Sequence, residues 1–328
     1  MKNEIFYGDV LDFYDEWEKP KIIISDGPYG VNGYEGDAKN HRELLEMYRP
    51  HIQKWTEHAE MGCTLWFWNT EIGWATVHPL FEEYGWEYRG INVWNKGIGF
   101  IAGNVNTKTM SRFPAVSEVC VQYVYPPKFK FEGKYVTEKE WLRLEWQRTG
   151  LPFSKTNEAC GVKAAATRKY FTKDNLWYSP PASTMEKLVE YANKYGKKET
   201  SPYFTTENGE VITEKIWEEI HPRFQLPIGW TNVWNVSQLS GKERIKVSGK
   251  NKSLHYNQKP LELMDLIIKS SSKSGEILWE PFGGLVSASI SAKRNNIESY
   301  AAEINKDIYL AAKNRLESYA IQESLLPQ

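Results

Sequence analysis

A run of β-branched residues that stops abruptly at a turn constrains this chain more than any other feature. Residues 21–24 read Lys-Ile-Ile-Ile, and residues 25–30 read Ser-Asp-Gly-Pro-Tyr-Gly. The isoleucines favour a buried strand, and glycine with proline prevents its regular continuation. The sequence therefore predicts a buried strand that ends in a special loop.

Similar short strands and helices alternate at both ends of the chain. In the N-terminal part the pattern predicts strands at 64–68, 91–94 and 119–124, with helices within 41–60 and 76–84. In the C-terminal part it predicts a helix from 261, a strand at 276–280, a helix at 286–294, a strand at 299–303 and a last helix from about 306. Alternating strands and helices indicate an α/β fold with a mainly parallel sheet.

The middle of the chain has a different character. From residue 125 the charge density rises, and glycine and proline interrupt the pattern as far as about residue 249. The length of 328 residues suits two domains, or one α/β domain with an insertion. We expect one half of the α/β domain at 1–140, an insertion at 141–249 and the second half of the α/β domain at 250–328.

Composition excludes several classes of protein. Hydrophobic residues make up 41% and charged residues 25% of the chain, which is ordinary globular usage. No apolar run reaches the roughly 20 residues that a membrane helix needs, and the N-terminus does not resemble a signal peptide. We therefore expect a cytoplasmic protein without membrane contact. The net charge of −1 means that any nucleic-acid surface must be local.

The three cysteines are far apart in the sequence. Cys63, Cys120 and Cys160 form no Cys-x-x-Cys pair and have no histidine at ligand spacing. Neither a disulfide framework nor a metal site is expected.

The loop after the first buried strand combines groups that could bind a planar amine. Asp26 and the carbonyl of Gly27, which Pro28 would hold in place, can each accept one amine hydrogen. Tyr29 could cover the face of the ring. A simple Asp-Gly-Pro turn without function is the alternative interpretation.

A second pattern, near the C-terminus, is typical of a nucleoside site. Gly283 and Gly284 follow a strand, and Glu303 ends the next strand, 19 positions after Gly284. Glycine lets a ligand approach the backbone, and a carboxylate at that strand end can bind ribose hydroxyls. Any tight connection from strand to helix also needs glycine, so a purely structural role is the alternative.

Four elements together resemble the amino-methyltransferases of DNA. Asp26-Gly27-Pro28-Tyr29 resembles their (Asp/Ser/Asn)-Pro-Pro-(Tyr/Phe) catalytic motif, and Glu280-Pro281-Phe282-Gly283-Gly284 resembles their Asp-Pro-Phe-x-Gly cofactor loop. Asn257-Gln258-Lys259-Pro260 is similar to their Gln-Lys-Pro element, and Gly8-Asp9 to the Gly-Asp that faces the cofactor's adenine. The order, with the catalytic motif first, resembles the β group found in restriction–modification systems. The resemblance covers roughly residues 1–125 and 253–320.

The resemblance implies a Rossmann-like methyltransferase sheet with an inserted target-recognition domain, and S-adenosylmethionine as cofactor. It assigns catalysis to Asp26, Gly27, Pro28 and Tyr29. The cofactor-binding residues that it implies are Asp9, Asp26, Lys259, Glu280, Phe282, Gly283, Gly284 and Glu303. Three positions depart from the motifs: Gly27 replaces a proline, Glu280 replaces an aspartate and Val286 stands where a second glycine is usual.

Two segments are candidates for DNA contacts. Residues 154–171 resemble a helix-turn-helix whose second helix carries Thr167, Arg168, Lys169 and Tyr170, side chains that suit base edges and phosphates. A basic cluster includes Lys242, Arg244, Lys246 and Lys250. A structural hairpin and a solvated loop are the respective alternatives.

The sequence thus predicts a sequence-specific methyltransferase that modifies a flipped base in double-stranded DNA. Adenine N6 is favoured, since an acidic first motif residue is typical of adenine enzymes in the resembled family. A cytosine-N4 enzyme and an inactive DNA-binding protein of the same fold remain alternatives. An RNA or protein methyltransferase and a nicotinamide dehydrogenase fit less well. The resemblance also raises a cognate restriction endonuclease and a homodimer as partners.

Overall fold

A computed structural model describes residues 2–32, 37–101, 109–247, 252–255 and 257–324. The chain divides into two compact units. The sheet unit comprises residues Met1–Tyr125 and Arg223–Gln328, and the inserted unit comprises Pro126–Pro222.

The sheet unit contains eight hydrogen-bonded strands. They are β1 (Asn3–Tyr7), β2 (Ile22–Ser25), β3 (Thr64–Asn69), β4 (Glu87–Asn95), β5 (Ser117–Val124), β8 (Val233–Asn235), β9 (Ile277–Glu280) and β10 (Glu298–Glu303). Their order across the sheet is β1-β10-β9-β2-β3-β5-β4-β8. The strands β1, β10, β9, β2 and β3 are mutually parallel, and β5 runs antiparallel to both of its neighbours. The predicted mainly parallel α/β fold is confirmed.

Helices cover both faces of this sheet. They are α1 (Leu44–His58), α2 (Glu71–Glu83), α8 (Leu261–Ser271), α9 (Ser287–Arg294) and α10 (Lys306–Ser324). No helix in the described part of the chain is long and apolar enough to cross a membrane.

Strand β3 shows why two helical layers form. All six of its residues are buried. Leu65 and Phe67 pack in one apolar cluster with α1 and α2, whereas Trp66 and Trp68 pack in another with α8. Successive side chains of a strand point to opposite faces, so an apolar residue at every position requires cover on both sides.

The inserted unit has its own core. It contains the strands β6 (Phe129–Phe131) and β7 (Lys134–Val136) and the helices α3 (Glu138–Arg148), α4 (Lys155–Ala159), α5 (Ala165–Tyr170), α6 (Ala182–Tyr195) and α7 (Glu214–Ile220). A cluster built on Trp141, Trp146, Phe171 and Trp217 fills it.

The observed limits of the insertion, 126 and 222, differ from the predicted limits of 141 and 249. At the start, Phe129 of β6 stacks on Trp141 with ring centroids 4.5 Å apart, which ties the β6–β7 hairpin to the inserted core. At the end, Val233 to Asn235 of β8 pair with β4, which returns this segment to the sheet.

Candidate active site

The carboxyl ends of four parallel strands meet at one cavity of about 610 Å³. Strands β2, β9 and β10 end there, and Gly8 and Asp9 follow the end of β1. This is the edge at which open α/β sheets bind ligands, and the volume suits a small molecule. All eight predicted cofactor-binding residues line the cavity: Asp9, Asp26, Lys259, Glu280, Phe282, Gly283, Gly284 and Glu303.

The glycine turn and Glu303 form the floor of the cavity together. A carboxylate oxygen of Glu303 accepts from the Gly284 amide at 3.0 Å, and the other accepts from the Asn305 amide at 2.7 Å. A carboxylate has about four acceptor positions, and the Ile304 amide acts on this group as well, so the acceptor capacity for a ligand is not used up. A Cβ on Gly283 would lie 3.0 Å from the carbonyl oxygen of Ala302, which shows how tightly the turn is packed. The arrangement fits a ribose with two hydroxyl groups.

Glu280 lines the same cavity, but its carboxylate is already engaged. One oxygen accepts from the Ala288 amide at 3.0 Å, and the other accepts from the amide and hydroxyl of Ser289 at 2.8 and 2.6 Å. Glu280 therefore caps the amino end of α9, a position at which a negative charge is stabilised. Burial raises the pKa of Glu280 to about 7, against the effect of these hydrogen bonds.

Val286 precedes α9 in the left-handed conformation, with φ 51° and ψ 44°. This region is costly for a β-branched residue and easy for glycine. The conformation explains why the resembled motif has glycine here. In this chain the side chain of Val286 is fully buried with Ile290, Ala301 and Leu316, and this packing offsets the strain.

Asp26 is the polar centre of the predicted catalytic loop. Its Oδ1 atom accepts from the Lys259 ammonium at 2.6 Å and from the Tyr29 hydroxyl at 2.8 Å. The Asp26 side chain is 19% exposed, and it lines the cavity. Among the described residues no donor reaches Oδ2, so this atom is left to accept from a ligand.

Asp26 and Lys259 belong to a group of four charged side chains that also includes Glu118 and Lys96. Glu118 accepts from Lys259 at 3.3 Å and forms a second ion pair with Lys96. Two positive and two negative charges thus balance each other inside the protein. Burial alone lowers the pKa of the Lys259 ammonium, but attraction to Asp26 and Glu118 outweighs it and the pKa is raised. Burial acts to raise the pKa of Glu118, but attraction to Lys259 and Lys96 outweighs burial. The pKa of Glu118 is therefore lowered.

The ring of Tyr29, which was predicted to cover the face of the base, is not among the residues that line the cavity. The side chain is 4% exposed and packs in the apolar cluster with Trp66 and Trp68. Its hydroxyl donates to Asp26, and burial raises its pKa well above the ordinary value. In this conformation Tyr29 holds Asp26 in place, and a stacking role would require the ring to leave its packing.

The backbone of the catalytic loop is fixed from several directions. The carbonyl of Pro28 accepts from the Tyr48 hydroxyl and from the Asn69 amide, both at 3.0 Å. Asp37 accepts from the amides of Tyr29, Gly30 and Val31 at 2.8–3.1 Å. No motif in the sequence pointed to Asp37, nor to Glu118 and Lys96, because each acts through contacts that only the folded chain creates.

Gly27 explains one departure from the resembled motif. A Cβ at this position would lie 2.5 Å from Cδ2 of Phe282 and 2.6 Å from the hydroxyl of Tyr48. Real Cβ atoms do not approach other atoms this closely. The proline that is usual in the motif carries a Cβ, so it cannot fit beside Phe282 as packed here.

The predicted DNA-reading helix is present as α5, within the hairpin α4–α5. Thr167 points inward, where its hydroxyl lies 2.7 Å from that of Thr156 and donates to the Phe153 carbonyl at 2.8 Å. Tyr170 is half-buried against the inserted core. Arg168 and Lys169 are exposed. Of the four side chains predicted to contact DNA, Arg168 and Lys169 are therefore accessible.

The basic cluster is only partly described. Arg244 donates to the carbonyl of His255 at 3.2 Å, and burial lowers its pKa. Lys246 is exposed and pairs through its backbone with Ser253. The side chain of Lys242 and the whole of Lys250 lie outside the described residues. Within the described residues no three His, Cys, Asp or Glu side chains are grouped as a metal site.

Comparison with known proteins shows the family of this chain. A model of the DNA methylase family of the N6 and N4 type matches residues 21–314. This match covers most of the sequence, and the chain belongs to that family.

The Type II methyltransferase M.HindIII of Haemophilus influenzae is 34% identical over 198 residues, which are 57% of this chain and 55% of that protein. This chain therefore spans about half the length of that relative. The structure of the M1.HpyAVI–SAM complex matches with a TM-score of 0.51 and 15% identity, over 95% of this chain and 98% of that chain. The cytosine-N4-specific PvuII DNA methyltransferase matches with a TM-score of 0.52 and 9% identity, over 98% and 91%. At these identities the two structures show the shared fold.

Proposed function

We propose that this protein transfers a methyl group from S-adenosylmethionine to the exocyclic amine of a base in double-stranded DNA, at a specific sequence. One observation carries the proposal. Oδ2 of Asp26 is left to accept a hydrogen bond in the same cavity that Gly284 and Glu303 line. A carboxylate next to a nucleoside-shaped site is what transfer between a nucleoside cofactor and a base amine requires.

The residues around the cavity fit the cofactor. Glu303 offers a carboxylate that can accept from ribose hydroxyls, and Asp9 offers a second carboxylate in the same cavity. When bound, S-adenosylmethionine supplies an electrophilic methyl group. Lys259 and Glu280 also line the cavity, and both are mainly engaged in contacts within the protein.

The chemistry of the base falls to Asp26 and the backbone of the loop. The lone pair of a base amine is delocalised into the ring, which makes the nitrogen a weak nucleophile. Oδ2 of Asp26 and the carbonyl of Gly27 would each accept one amine hydrogen, and these bonds favour a nitrogen whose lone pair points at the methyl group. Lys259 and Tyr29 hold Oδ1, so the carboxylate cannot rotate away. A paired base cannot reach this loop, so the target must flip out of the duplex.

Adenine N6 is the target that we propose, with cytosine N4 as the alternative. The support is the acidic first residue, Asp26, of a loop that resembles the catalytic motif. Mass spectrometry of nucleosides from DNA of an expressing host identifies the base. We expect N6-methyladenine, and N4-methylcytosine alone would show that the target is cytosine.

Replacing Asp26 tests the catalytic assignment. Asp26→Asn preserves the size of the side chain but removes the charge, and we expect it to lose methyl transfer while still binding S-adenosylhomocysteine. Asp26→Ala should also unfold more easily, because it leaves the buried Lys259 with one partner fewer. Full activity of Asp26→Asn would reject the assignment. Failure of the native protein to bind S-adenosylhomocysteine would instead favour the inactive DNA-binding protein.

We propose that the inserted unit reads the target sequence through α5. Its exposed Arg168 and Lys169 support this, whereas Thr167 and Tyr170 are committed to the fold. Arg168→Ala should weaken binding and relax specificity at one position if Arg168 contacts a guanine edge. Lys215→Ala, on α7 of the same unit, is a matched control with an 84% exposed side chain. Equal weakening on all sequences would show a phosphate contact, and no change would show that the hairpin is structural.

The basic cluster is proposed to bind the phosphate backbone. Neutralising Lys242, Lys246 and Lys250 together should flatten the dependence of log affinity on log salt by ~0.9 for each phosphate that is no longer neutralised. Arg244 is not included in this variant because its guanidinium donates a hydrogen bond to the carbonyl of His255. An unchanged slope would show a solvated surface. A cognate restriction endonuclease, a homodimer and a cytoplasmic location stay predictions.

A further inference from the structure

His51 lines the same cavity as Asp9 and Phe282. It lies on α1 and is 7% exposed. Its ring packs edge-on against Phe282 of the cofactor loop, with centroids 4.9 Å apart. Asp9 lines the same cavity, and its charge acts on the imidazole.

Two buried residues fix which nitrogen of His51 carries the hydrogen. The indole of Trp55 donates to the hydroxyl oxygen of Tyr14 at 2.8 Å, and that oxygen lies 3.1 Å from Nδ1 of His51. An indole can only donate, so the Tyr14 oxygen accepts from it. The hydroxyl hydrogen of Tyr14 then has one acceptor among the described residues, which is Nδ1.

The opposite arrangement is costly. If Nδ1 carried the hydrogen and donated, the hydroxyl hydrogen of Tyr14 would have no acceptor within hydrogen-bond reach in the described structure. Tyr14 is fully buried, and a buried donor without a partner is expensive. Burial also lowers the pKa of His51 to about 4, so the ring is neutral at physiological pH. The neutral ring therefore carries its hydrogen on Nε2.

Nε2 is available to a ligand. Among the described residues none accepts a hydrogen bond from Nε2, and solvent can reach this atom. The cavity thus presents a fixed N–H donor from His51 and a carboxylate acceptor from Asp9, whose Oδ1 is anchored by the amide of Leu11 at 3.0 Å. Adenine offers the complementary pair along its edge, with an amine that donates and a ring nitrogen that accepts.

We propose that His51 is a specificity-determining residue that donates from Nε2 to a ring nitrogen beside the amine of the cofactor's adenine. This inference rests on the proposed function, since it concerns the same cofactor. A 6-oxopurine has an acceptor where adenine has its amine, so its oxygen would meet the carboxylate of Asp9. The pair of groups therefore selects adenine against hypoxanthine or guanine.

Calorimetric titration with S-adenosylhomocysteine tests the proposal without turnover. We expect His51→Leu to bind about tenfold more weakly, the effect of removing one hydrogen bond. His51→Gln, which keeps a side-chain N–H donor, should stay within about threefold. Unchanged affinity of His51→Leu would overturn the proposal. If the native protein does not bind S-adenosylhomocysteine at all, the proposed function fails as well.

Analogues of the ligand locate the acceptor. The 1-deaza and 7-deaza forms of S-adenosylhomocysteine each lack one ring nitrogen beside the amine, and the 3-deaza form lacks a remote one. We expect the loss of affinity from His51→Leu to disappear with either the 1-deaza or the 7-deaza compound and to persist with the 3-deaza compound. An equal loss with all three compounds, or one that disappears only with the 3-deaza compound, would overturn the placement.

Nuclear magnetic resonance of the histidine rings provides a second readout that requires no ligand. The chain has six histidines, and comparison of the native protein with His51→Gln assigns the signal. We expect an unprotonated Nδ1 and a protonated Nε2. Tyr14→Phe removes the hydroxyl that selects this form, and we expect the Nδ1-protonated form to appear. A native ring protonated on Nδ1 would overturn the proposal.

Discussion

Gly27 allows a sharp test of how the catalytic loop packs. In Gly27→Ala the new methyl group would lie 2.5 and 2.6 Å from two ring carbons of Phe282, and 2.6 Å from the Tyr48 hydroxyl. Carbon atoms are in favourable contact at about 3.5–4.0 Å, so the ring must move by roughly 1 Å. Phe282 is held by His51 and Tyr48, with ring centroids 4.9 and 5.9 Å away. Overpacking of this kind costs about 1–3 kcal/mol.

Urea unfolding at equilibrium measures this cost directly. Gly90→Ala is a matched control, because a Cβ at Gly90 on β4 would meet nothing within 4 Å. We expect Gly27→Ala to lower the free energy of unfolding by about 1–3 kcal/mol and Gly90→Ala to change it by no more than about 0.5 kcal/mol.

A double variant identifies Phe282 as the cause. Because Phe282→Ala removes the ring that clashes, Gly27→Ala should cost less in that background, with a coupling of at least about 1 kcal/mol. Two refuting results are equal stability of Gly27→Ala and Gly90→Ala, and strictly additive effects in the double variant. Either would mean that the loop does not pack on Phe282 as described, and the explanation for the missing proline would fail.

Three further predictions concern carboxylates that line the cavity or support the loop after β2. Because the pKa of Glu280 is raised from 4.5 to about 7 on folding, the stability that its neutral form contributes is complete below pH 4.5 and is lost as the pH rises through 7. The free energy of unfolding in urea should therefore fall between pH 4.5 and pH 7, by about 3 kcal/mol at most, and Glu280→Gln should lack this contribution. The same dependence of the free energy of unfolding on pH in both proteins would contradict the prediction. Asp37→Ala removes the acceptor of three backbone amides of the catalytic loop, so we expect the methyl-transfer rate to fall more than the affinity for S-adenosylhomocysteine. Steady-state kinetics measure the rate, and calorimetry measures the affinity. An unchanged rate would show that the loop keeps its conformation without Asp37. Glu303→Ala should weaken cofactor binding by about 1–3 kcal/mol in calorimetry, and native affinity would reject Glu303 as the ribose ligand.

The order of elements in the sheet unit was predictable because each buried strand and each amphipathic helix has a local pattern. The isoleucines of β2 and the apolar run of β3 needed no long-range information. Strands β1 and β8 were not predicted. Each is a short edge strand, only partly buried, and its pairing with β10 or β4 is decided by residues far away in the sequence.

The candidate site was predictable to the extent that motifs name single residues. The eight residues predicted to bind the cofactor line one cavity because the ends of parallel strands must meet at one edge of the sheet. What each side chain does there depended on packing. Tyr29 packs in the apolar cluster, and Glu280 accepts hydrogen bonds at the amino end of α9. No local sequence pattern reveals these buried partners.

The ion pair between Asp26 and Lys259 joins residues 233 positions apart, and the neighbouring strands β2 and β9 come from the same two ends of the chain. On the ribosome, β2 therefore emerges long before the strand that will lie beside it, and Asp26 before the ammonium that will neutralise it. The inserted unit is one continuous segment, Pro126–Pro222, so the nascent chain can complete it early, but β2 keeps an unpaired apolar edge until β9 is made. The site that we propose for methyl transfer is therefore complete only after synthesis has passed β10, because β9 and β10 supply part of its cavity.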